Sequence, residues 1–253
     1  MVWRQWEVEK KIRETDDVVT FVVKRIDDRL VKTSLPGQYV TVVMPMPDGV
    51  RQPRQYSLTR ADDGQHRQFS VRWAHGRGKP DGEMSSLLHN TVDVGDVVTM
   101  SLPYGDVVLD DSGRPVVFAS AGVGITPMAG MLSHLATAGS GLEVMLLHAD
   151  VDEASFALRR QVVTDVLALR KASIHVWYEQ GTGSNEPMTG GPRRDDGPVP
   201  GDAARRRRVL PMRADPVHAG RANRVDRARG RSPRHPIRSV RPRPMASRSR
   251  LAS

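Results

Sequence analysis

The sequence predicts a six-stranded antiparallel β-barrel followed by an incomplete doubly wound α/β domain and a tail. Two observations support this fold class. From residue 3 to about residue 109, short β-prone segments follow one another, separated by turn residues. From residue 116, apolar strands alternate with helical patterns. Beyond residue 180 neither pattern continues, and the chain becomes rich in arginine and proline.

Composition excludes several classes of site. The 253 residues contain no cysteine, which excludes disulfides, thiolate metal sites and cysteine nucleophiles. No apolar run reaches membrane-spanning length, and the first residues do not open a signal peptide. The sequence therefore predicts a cytoplasmic protein with no membrane partner. It also predicts no metal site, and His89 has no partner at metal-ligand spacing.

The predicted barrel is built from six segments rich in β-branched and aromatic residues. Turn residues such as Pro36-Gly37 and Asp62-Asp63-Gly64 separate them. The six segments are Trp6–Ile12, Val18–Val23, Tyr39–Val43, Arg54–Thr59, Gln68–Trp73 and Asp96–Leu102.

The fourth segment alternates charged, aromatic and hydroxyl side chains. On a strand, Arg54 and Tyr56 lie on one face, and Gln55 and Ser57 lie on the other. A guanidinium can bind a phosphate, a phenol ring can stack on a flat heterocycle, and a hydroxyl can bond to a ring nitrogen. The segment therefore offers the contacts that a flavin dinucleotide needs, although an ordinary surface strand would show the same alternation.

A short helix is predicted between the strands, from Gly82 to His89. Ser85 or Ser86 would lie near its N-terminus, where free backbone N–H groups attract an anion. An ordinary capped helix remains the alternative interpretation.

A glycine loop opens the second half of the chain. The apolar strand Val116–Ala119 leads into Gly122 and Gly124, and a helix follows. Pro127 suits the first helical position, and Thr126 can cap the helix. A strand, two glycines and a helix N-terminus allow the backbone to approach a pyrophosphate, although the third glycine of the dinucleotide fingerprint is missing.

Further strands are predicted at Glu143–His148 and Ser173–Tyr178, with a helix from about Glu153 to Leu169 between them. Asp150 follows the first of these strands, where a ribose would be bound. The cofactor preference stays open, because Asp150 would repel a 2′-phosphate while Arg159 and Arg160 would attract one. The expected inner face of the helix comprises Phe156, Val163, Val166 and Leu167.

The tail carries the positive charge of the chain. Residues 181–253 contain 18 arginines, no lysine and six acidic residues, whereas the whole chain has a net charge of +9. The tail also has no aromatic side chain of the Phe, Tyr or Trp type. Without large apolar side chains it cannot build a core, so we predict disorder for residues 189–253. Nucleic-acid binding by the run Arg205–Arg208 is the less favoured alternative.

Residues 3–180 resemble the ferredoxin–NADP reductase-like flavoproteins, and within them the reductase half of flavohaemoglobin, the bacterial nitric oxide dioxygenase. Five motifs in the family's order carry this resemblance. They are Pro36-Gly37-Gln38-Tyr39, Arg54-Gln55-Tyr56-Ser57-Leu58-Thr59, Gly82-Glu83-Met84-Ser85, Val94-Gly95-Asp96 and Gly122-Val123-Gly124-Ile125-Thr126-Pro127.

The resemblance implies FAD at the edge of the barrel. Arg54 would contact the pyrophosphate, Tyr39 and Tyr56 would pack beside the flavin, and Ser57 would bond near the flavin N5. Ser57 and Thr126 would form the reaction centre. The implied FAD ligands also include Gln55, Gly82, Met84 and Ser85, and the implied NAD(P)H ligands are Gly122, Val123, Gly124, Ile125, Thr126 and Pro127.

The implied activity is that of an FAD-dependent NAD(P)H oxidoreductase. Hydride would pass from NAD(P)H to FAD, and electrons would then pass to a haem, to a globin domain possibly on a separate chain, or to a small-molecule acceptor. The family's globin domain has no counterpart in this sequence. The alternatives are a non-functional truncated product and a flavin-binding module whose basic tail binds nucleic acid or an acidic partner.

The resemblance stops where the tail begins, and our hypothesis is that the reading frame shifts there. Permitted codons can be chosen for residues 209–222 that, read from the second base, encode Cys-Phe-Leu-Cys-Gly-Pro-Thr-Pro-Phe-Met-Arg-Ala-Val-Arg. This contains the Cys-Gly-Pro motif that the family carries at this point. Residues 237–252 can likewise encode a closing Phe-Gly-Pro. We therefore expect a barrel at 1–110, a partial nucleotide-binding domain at 111–188 and a frameshifted tail from about Thr189.

Overall fold

The structure is a computed structural model that describes residues 2–180, except residues 28, 30, 77 and 111. It also describes the backbone of two strands at 188–190 and 208–212. All of these residues belong to one unit, Met1–Asp215, and the second unit is Pro216–Ser253. The disorder predicted for the rest of the segment 189–253 lies outside the described residues.

The first sheet is the predicted six-stranded antiparallel barrel. Its strands run in the order β4-β3-β6-β1-β2-β5. A bridge between Leu58 and Phe69 then joins the two outer strands, which closes the sheet. Helix α1, Glu83–Asn90, precedes the last strand. The strands are β1 Trp3–Arg13, β2 Val18–Arg25, β3 Tyr39–Pro45, β4 Arg51–Ser57, β5 His66–Arg72 and β6 Val97–Ser101.

Stacked aromatic rings fill the barrel core. The Phe21 and Phe69 rings are fully buried, with centroids 5.5 Å apart. The Tyr56 ring also stacks on Phe69, with 5.4 Å between the ring centroids. Met84 from α1 packs into the same core, which fixes that helix on the barrel. The inward side chains alternate with exposed ones along β1, as expected for strands with one buried face.

The second sheet has a parallel centre of three strands. These are β7 Val116–Ala121, β8 Val144–Asp150 and β9 Ala172–Tyr178. Helices α2, Ile125–Thr137, and α3, Arg159–Ala168, connect them. This arrangement confirms the predicted incomplete doubly wound domain.

Two short strands extend this sheet, and the sequence analysis did not predict them. Strand β10, Met188–Gly190, pairs with β9 in antiparallel orientation. Strand β11, Arg208–Met212, pairs in parallel with β7. Main-chain pairing depends little on side-chain type, which explains why composition gave no indication of them.

The helix predicted from Glu153 begins six residues later, at Arg159. The Asp152 carboxylate accepts a hydrogen bond of 2.8 Å from the Ser155 backbone N–H, which favours a turn over a helix. Leu158 has a φ of 60°, so the helix cannot extend back across it. The predicted inner face is also corrected, because Leu167 is 50% exposed and Val162 is fully buried.

Candidate functional site

Arg54 is linked to the start of α1 through one intermediate side chain. Its exposed guanidinium donates to the Gln52 side-chain oxygen at 3.2 Å and to the Pro53 carbonyl at 2.8 Å. The Gln52 amide in turn donates to the carboxylate of Glu83, the first residue of α1. The structure therefore brings the arginine and the helix N-terminus together. Sequence reasoning missed Gln52, which two-residue spacing puts on the same face as Arg54.

The start of α1 is held by the residues that the sequence singled out. The Ser85 hydroxyl donates to the Gly82 carbonyl at 2.8 Å and accepts from the Ala74 N–H at 3.1 Å. A side chain at Gly82 would come within 2.8 Å of the Ala74 methyl group. Ser85 therefore shapes the loop with its side chain, and the Met84 side chain lies in the barrel core. The first backbone N–H groups of the helix are the donors left for an anion.

Two tyrosines lie on neighbouring strands, Tyr39 on β3 and Tyr56 on β4. The Tyr39 ring contacts Tyr104 edge-on, with 4.6 Å between centroids, and its hydroxyl accepts from the Gln55 amide at 3.4 Å. Tyr56 is half-buried against Phe69, and this burial raises the pKa of its hydroxyl. Tyr104, which also hydrogen-bonds to Thr41, was missed by sequence reasoning because it lies outside any predicted strand.

The glycine loop forms a 3₁₀ turn, Gly122–Gly124, that runs directly into α2. Gly124, not Thr126, is therefore the residue before the helix, and Pro127 is its third residue, not its first. The Thr126 hydroxyl donates to the Val123 carbonyl at 3.0 Å. Because the 3₁₀ turn leads directly into α2, the helix begins before Thr126. The Thr126 side chain therefore stabilises the loop instead of capping the helix. The predicted cap is thus corrected.

An arginine from the barrel lies beside this loop. A Cβ added at Gly122, whose φ is +50°, would lie 3.4 Å from the Arg72 Nη1 atom. The Arg72 Nε atom donates to the Asp17 carboxylate at 2.7 Å, which fixes the arginine at the end of β5. Arg72 leaves half of its side chain exposed. Arg72 therefore places a positive charge beside the glycine loop, which the sequence motifs did not indicate.

Behind the loop, three polar side chains form a buried chain. The Ser120 hydroxyl lies 2.9 Å from His148 Nδ1, and His148 Nε2 lies 3.3 Å from the Asp150 carboxylate. The Phe156 ring covers His148, with centroids 4.2 Å apart. The Asp150 carboxylate also accepts from the Val151 N–H at 2.9 Å, and Asp150 is buried. Protein groups therefore engage this carboxylate, and its expected place on a ribose stays a prediction.

The two sheets meet where β4 runs on past Ser57. Gly130 of α2 is buried there, and a Cβ at Gly130 would lie 2.2 Å from the Leu58 carbonyl oxygen. The Ala61 N–H donates to the Ser133 hydroxyl of the same helix at 3.1 Å. The strand carrying Arg54 and the helix that begins at the glycine loop are therefore in direct contact.

Among the described residues, no group of three or more His, Asp or Glu side chains could hold a metal ion. In the same part of the chain, no helix is long and apolar enough to cross a membrane. His89 is occupied structurally, since its Nε2 atom lies 2.9 Å from the Val71 carbonyl. Burial lowers the pKa of His89.

No family model matches the chain. Among curated proteins, it is similar to the flavohaemoprotein of Bordetella pertussis, with 37% identity over 182 residues, which is 70% of this chain and 44% of that protein. The flavohaemoprotein of Chromobacterium violaceum is 39% identical over 180 residues, with the same two coverages. The chain thus spans less than half the length of these relatives.

Solved structures show the same similarity. The flavohaem-like FAD/NAD-binding domain of nitric oxide dioxygenase from Vibrio cholerae is 31% identical and superposes with a TM-score of 0.68. This match covers 78% of this chain and 82% of that domain. The cytochrome b5 reductase domain of Ulva prolifera nitrate reductase shares the fold, with a TM-score of 0.61 and 20% identity over 75% of this chain and 78% of that chain.

Proposed function

The chain belongs to the FAD/NAD-binding reductase domains of the flavohaemoprotein family, and on this basis we propose that it is an FAD-dependent NAD(P)H oxidoreductase module. It would take hydride from NAD(P)H and pass electrons to an acceptor. The observation that carries this proposal is the direct contact of β4 with α2. Strand β4 carries Arg54 of the proposed FAD site, and α2 begins at the glycine loop. The contact therefore brings two sites suited to a dinucleotide together.

The residues present fit FAD. The exposed Arg54 guanidinium and the free N–H groups at the start of α1 are two positive partners for one pyrophosphate, held in place through Gln52. Bound FAD would supply the hydride-accepting ring system. Within the described part of the chain the Ser57 hydroxyl makes no hydrogen bond, so it can donate to a ring nitrogen. Tyr39 and Tyr56 would flank the ring, and Gln55 would hold Tyr39.

The glycine loop fits a nicotinamide dinucleotide. The backbone of Gly122 to Ile125 leads into a helix N-terminus, and the positive φ of Gly122 lets the chain turn close to a phosphate. The Arg72 guanidinium adds a charge on the barrel side of the loop. Thr126 and Pro127 would act by holding the loop, because the Thr126 hydroxyl bonds to Val123. In this assignment Ser57 is the residue nearest the reaction.

We infer that the electron acceptor is a haem in a globin domain, on the same chain or on a separate one, or a small molecule. The curated relatives are flavohaemoproteins, and this chain covers 44% of their length. A module of this kind needs a partner domain for the haem step. Mixing the purified chain with a separately expressed globin domain and following haem reduction by NADH would test the acceptor. Reduction of a small-molecule acceptor alone would exclude the haem route.

We further propose three segments: a barrel at 1–110, a nucleotide-binding part at 111–188 and a frameshifted tail from about Thr189. The match to B. pertussis flavohaemoprotein covers 182 residues, about the length of segment 3–180 that carries the family motifs. Strand β11 lies beside β7, where the second half of a doubly wound sheet begins, and permitted codons let the shifted frame encode the family motif there. Sequencing the gene tests this, and a stop codon in the second frame before the motif would refute it.

The activity is tested by the absorption spectrum of the purified full chain, recorded before and after anaerobic addition of NADH. We expect flavin bands that bleach on addition. An Arg54→Ala variant should lose bound flavin, whereas an Arg114→Ala variant, altered at an exposed arginine outside the site, should keep it. Colourless wild-type protein that does not take up added FAD would refute the proposal.

A further inference from the structure

A set of hydrogen bonds joins the barrel to the α/β domain next to the contact of β4 with α2. The Gln161 amide of α3 donates to the Thr59 carbonyl at 2.6 Å. The Gln68 amide donates to the Gln161 oxygen at 2.8 Å and to the Thr59 hydroxyl at 3.0 Å. We call these three residues, with Leu58 and Gly130, the polar seam.

The polar seam is largely buried, with Gln161 half-buried, and it leaves little freedom for its parts. Thr59 is fully buried, Gln68 is 7% exposed and Leu58 is 4% exposed. Gly130 lets the α2 backbone approach the Leu58 carbonyl so closely that even a methyl group would have to displace it. Buried amides that satisfy one another resist sliding, because any shift leaves a donor or acceptor without a partner.

The polar seam lies close in sequence to both proposed cofactor sites. On the barrel side, Leu58 and Thr59 directly follow Ser57. On the other side, one and a half turns of α2 separate Gly130 from the glycine loop. A displacement at the seam is therefore transmitted to both sites through rigid elements, a strand and a helix.

We propose that the polar seam sets the separation of the flavin and nicotinamide sites, and that Gln161 and Gly130 are positioning residues for hydride transfer. The expected effect on the rate of hydride transfer rests on the proposed function, whereas the expected effect on the separation of the two sites does not. Hydride transfer needs the reacting atoms within about 3–3.5 Å of each other, and a displacement of about 1 Å can cost about 100-fold in rate. Neither residue would contact a cofactor.

The kinetic test compares Gln161→Leu with the wild-type chain in stopped-flow reduction of bound flavin by NADH. Leucine removes both the donor and the acceptor of Gln161. We expect the limiting rate of flavin reduction to fall about 10- to 100-fold, with FAD affinity and the NADH concentration at half-maximal rate little changed. Thr164→Val, one turn further along the exposed side of α3, should behave as wild type. A Gln161→Leu rate equal to wild type would overturn the kinetic part.

A second measurement does not depend on turnover. The chain has no cysteine, so two introduced cysteines can carry spin labels without background. Val97→Cys on the barrel and Leu167→Cys on α3 are exposed sites, 46% and 50% accessible. We expect a narrow distance distribution in this background and a broad or shifted one after adding Gln161→Leu or Gly130→Leu.

The two measurements separate the two claims. If wild-type protein shows no bleaching by NADH, the proposed function fails, and the spin-label distances still decide whether the seam fixes the domains. If the distances are unchanged by Gln161→Leu, the polar seam does not set the separation, whatever the activity is. Gly130→Leu alone would be ambiguous if it failed to fold, which is why Gln161→Leu is measured first.

Discussion

Asp165 lies on α3 one turn after Gln161, and its carboxyl group is poorly satisfied. Burial raises the pKa of Asp165 to about 6, and a hydrogen bond with Gln161 and the charge of Arg60 offset this only in part. One carboxyl oxygen, Oδ2, is buried and has no hydrogen-bond partner among the residues that the structure describes. Ionisation of Asp165 should therefore destabilise the folded chain, and Asp165→Asn should remove that cost.

The sign and size follow from the two pKa values. The unfolded pKa is 3.8 and the folded one about 6, so the folded state prefers the protonated acid. Below pH 3.8 Asp165 is protonated in both states, and the free energy of unfolding is not reduced. Between pH 3.8 and 6 the free energy of unfolding falls as the pH rises. Above pH 6 the reduction is constant. A shift of this size corresponds to about 3 kcal/mol at most. Because the carboxyl is only partly buried, solvent screening reduces our expectation to about 1 kcal/mol.

The assay is urea unfolding of wild type and Asp165→Asn at several pH values from 3 to 8. We expect the variant to gain stability over wild type as the pH rises from about 3.8 towards 6, with a plateau of about 1 kcal/mol above that. Asp152→Asn is the control, since hydrogen bonds from Ser155 lower the pKa of that exposed carboxyl and no gain is expected. A pH-independent difference, or a less stable Asp165→Asn at pH 8, would refute the reasoning.

Changes at four further positions test the packing and the FAD site. Gly37→Ala should lower the free energy of unfolding by about 3 kcal/mol, because the new methyl group would lie 2.3 Å from the Met131 side chain at a φ of +101°. Gly49→Ala, with a φ of +82° and open space around it, should cost about 1 kcal/mol in the same urea titration. His148→Leu leaves the buried Asp150 carboxylate without its ring partner and should cost about 2–4 kcal/mol by thermal unfolding, with His148→Gln losing less. Tyr56→Ala should weaken FAD binding measured by fluorescence titration while Tyr56→Phe should not, since packing on Phe69 needs only the ring; equal affinities would contradict the assigned role.

The sequence was sufficient to predict most of the elements but not their contacts. Period-two patterns located all six barrel strands, and the run from Val116 to Pro127 located the strand, turn and helix of the second domain. These features are local, so residues within one segment determine them. The predicted start of α3 was wrong for a local reason as well, because the turn formed by Asp152 and Ser155 competes with the first turn of a helix.

The candidate site was predicted only as far as its motifs extend. Arg54 and the start of α1 are 29 residues apart in sequence, and no motif indicates that Gln52 bridges them. The same holds for Arg72 beside Gly122, and for Gln161, which pairs with barrel residues about 100 positions earlier. Such contacts depend on how two sheets pack, and a single sequence does not record that packing in any local pattern.

Strand β11 has a consequence for how the outer edge of the parallel sheet can be used. Arg208–Met212 pairs with β7 through main-chain groups, and Pro211, which has no N–H to donate, is tolerated within it. An edge that accepts a strand containing proline discriminates weakly among sequences. A synthetic peptide with the second-frame sequence could therefore compete with the chain's own segment for β7. The added peptide would then replace β11 beside β7, as donor-strand exchange does in other sheets.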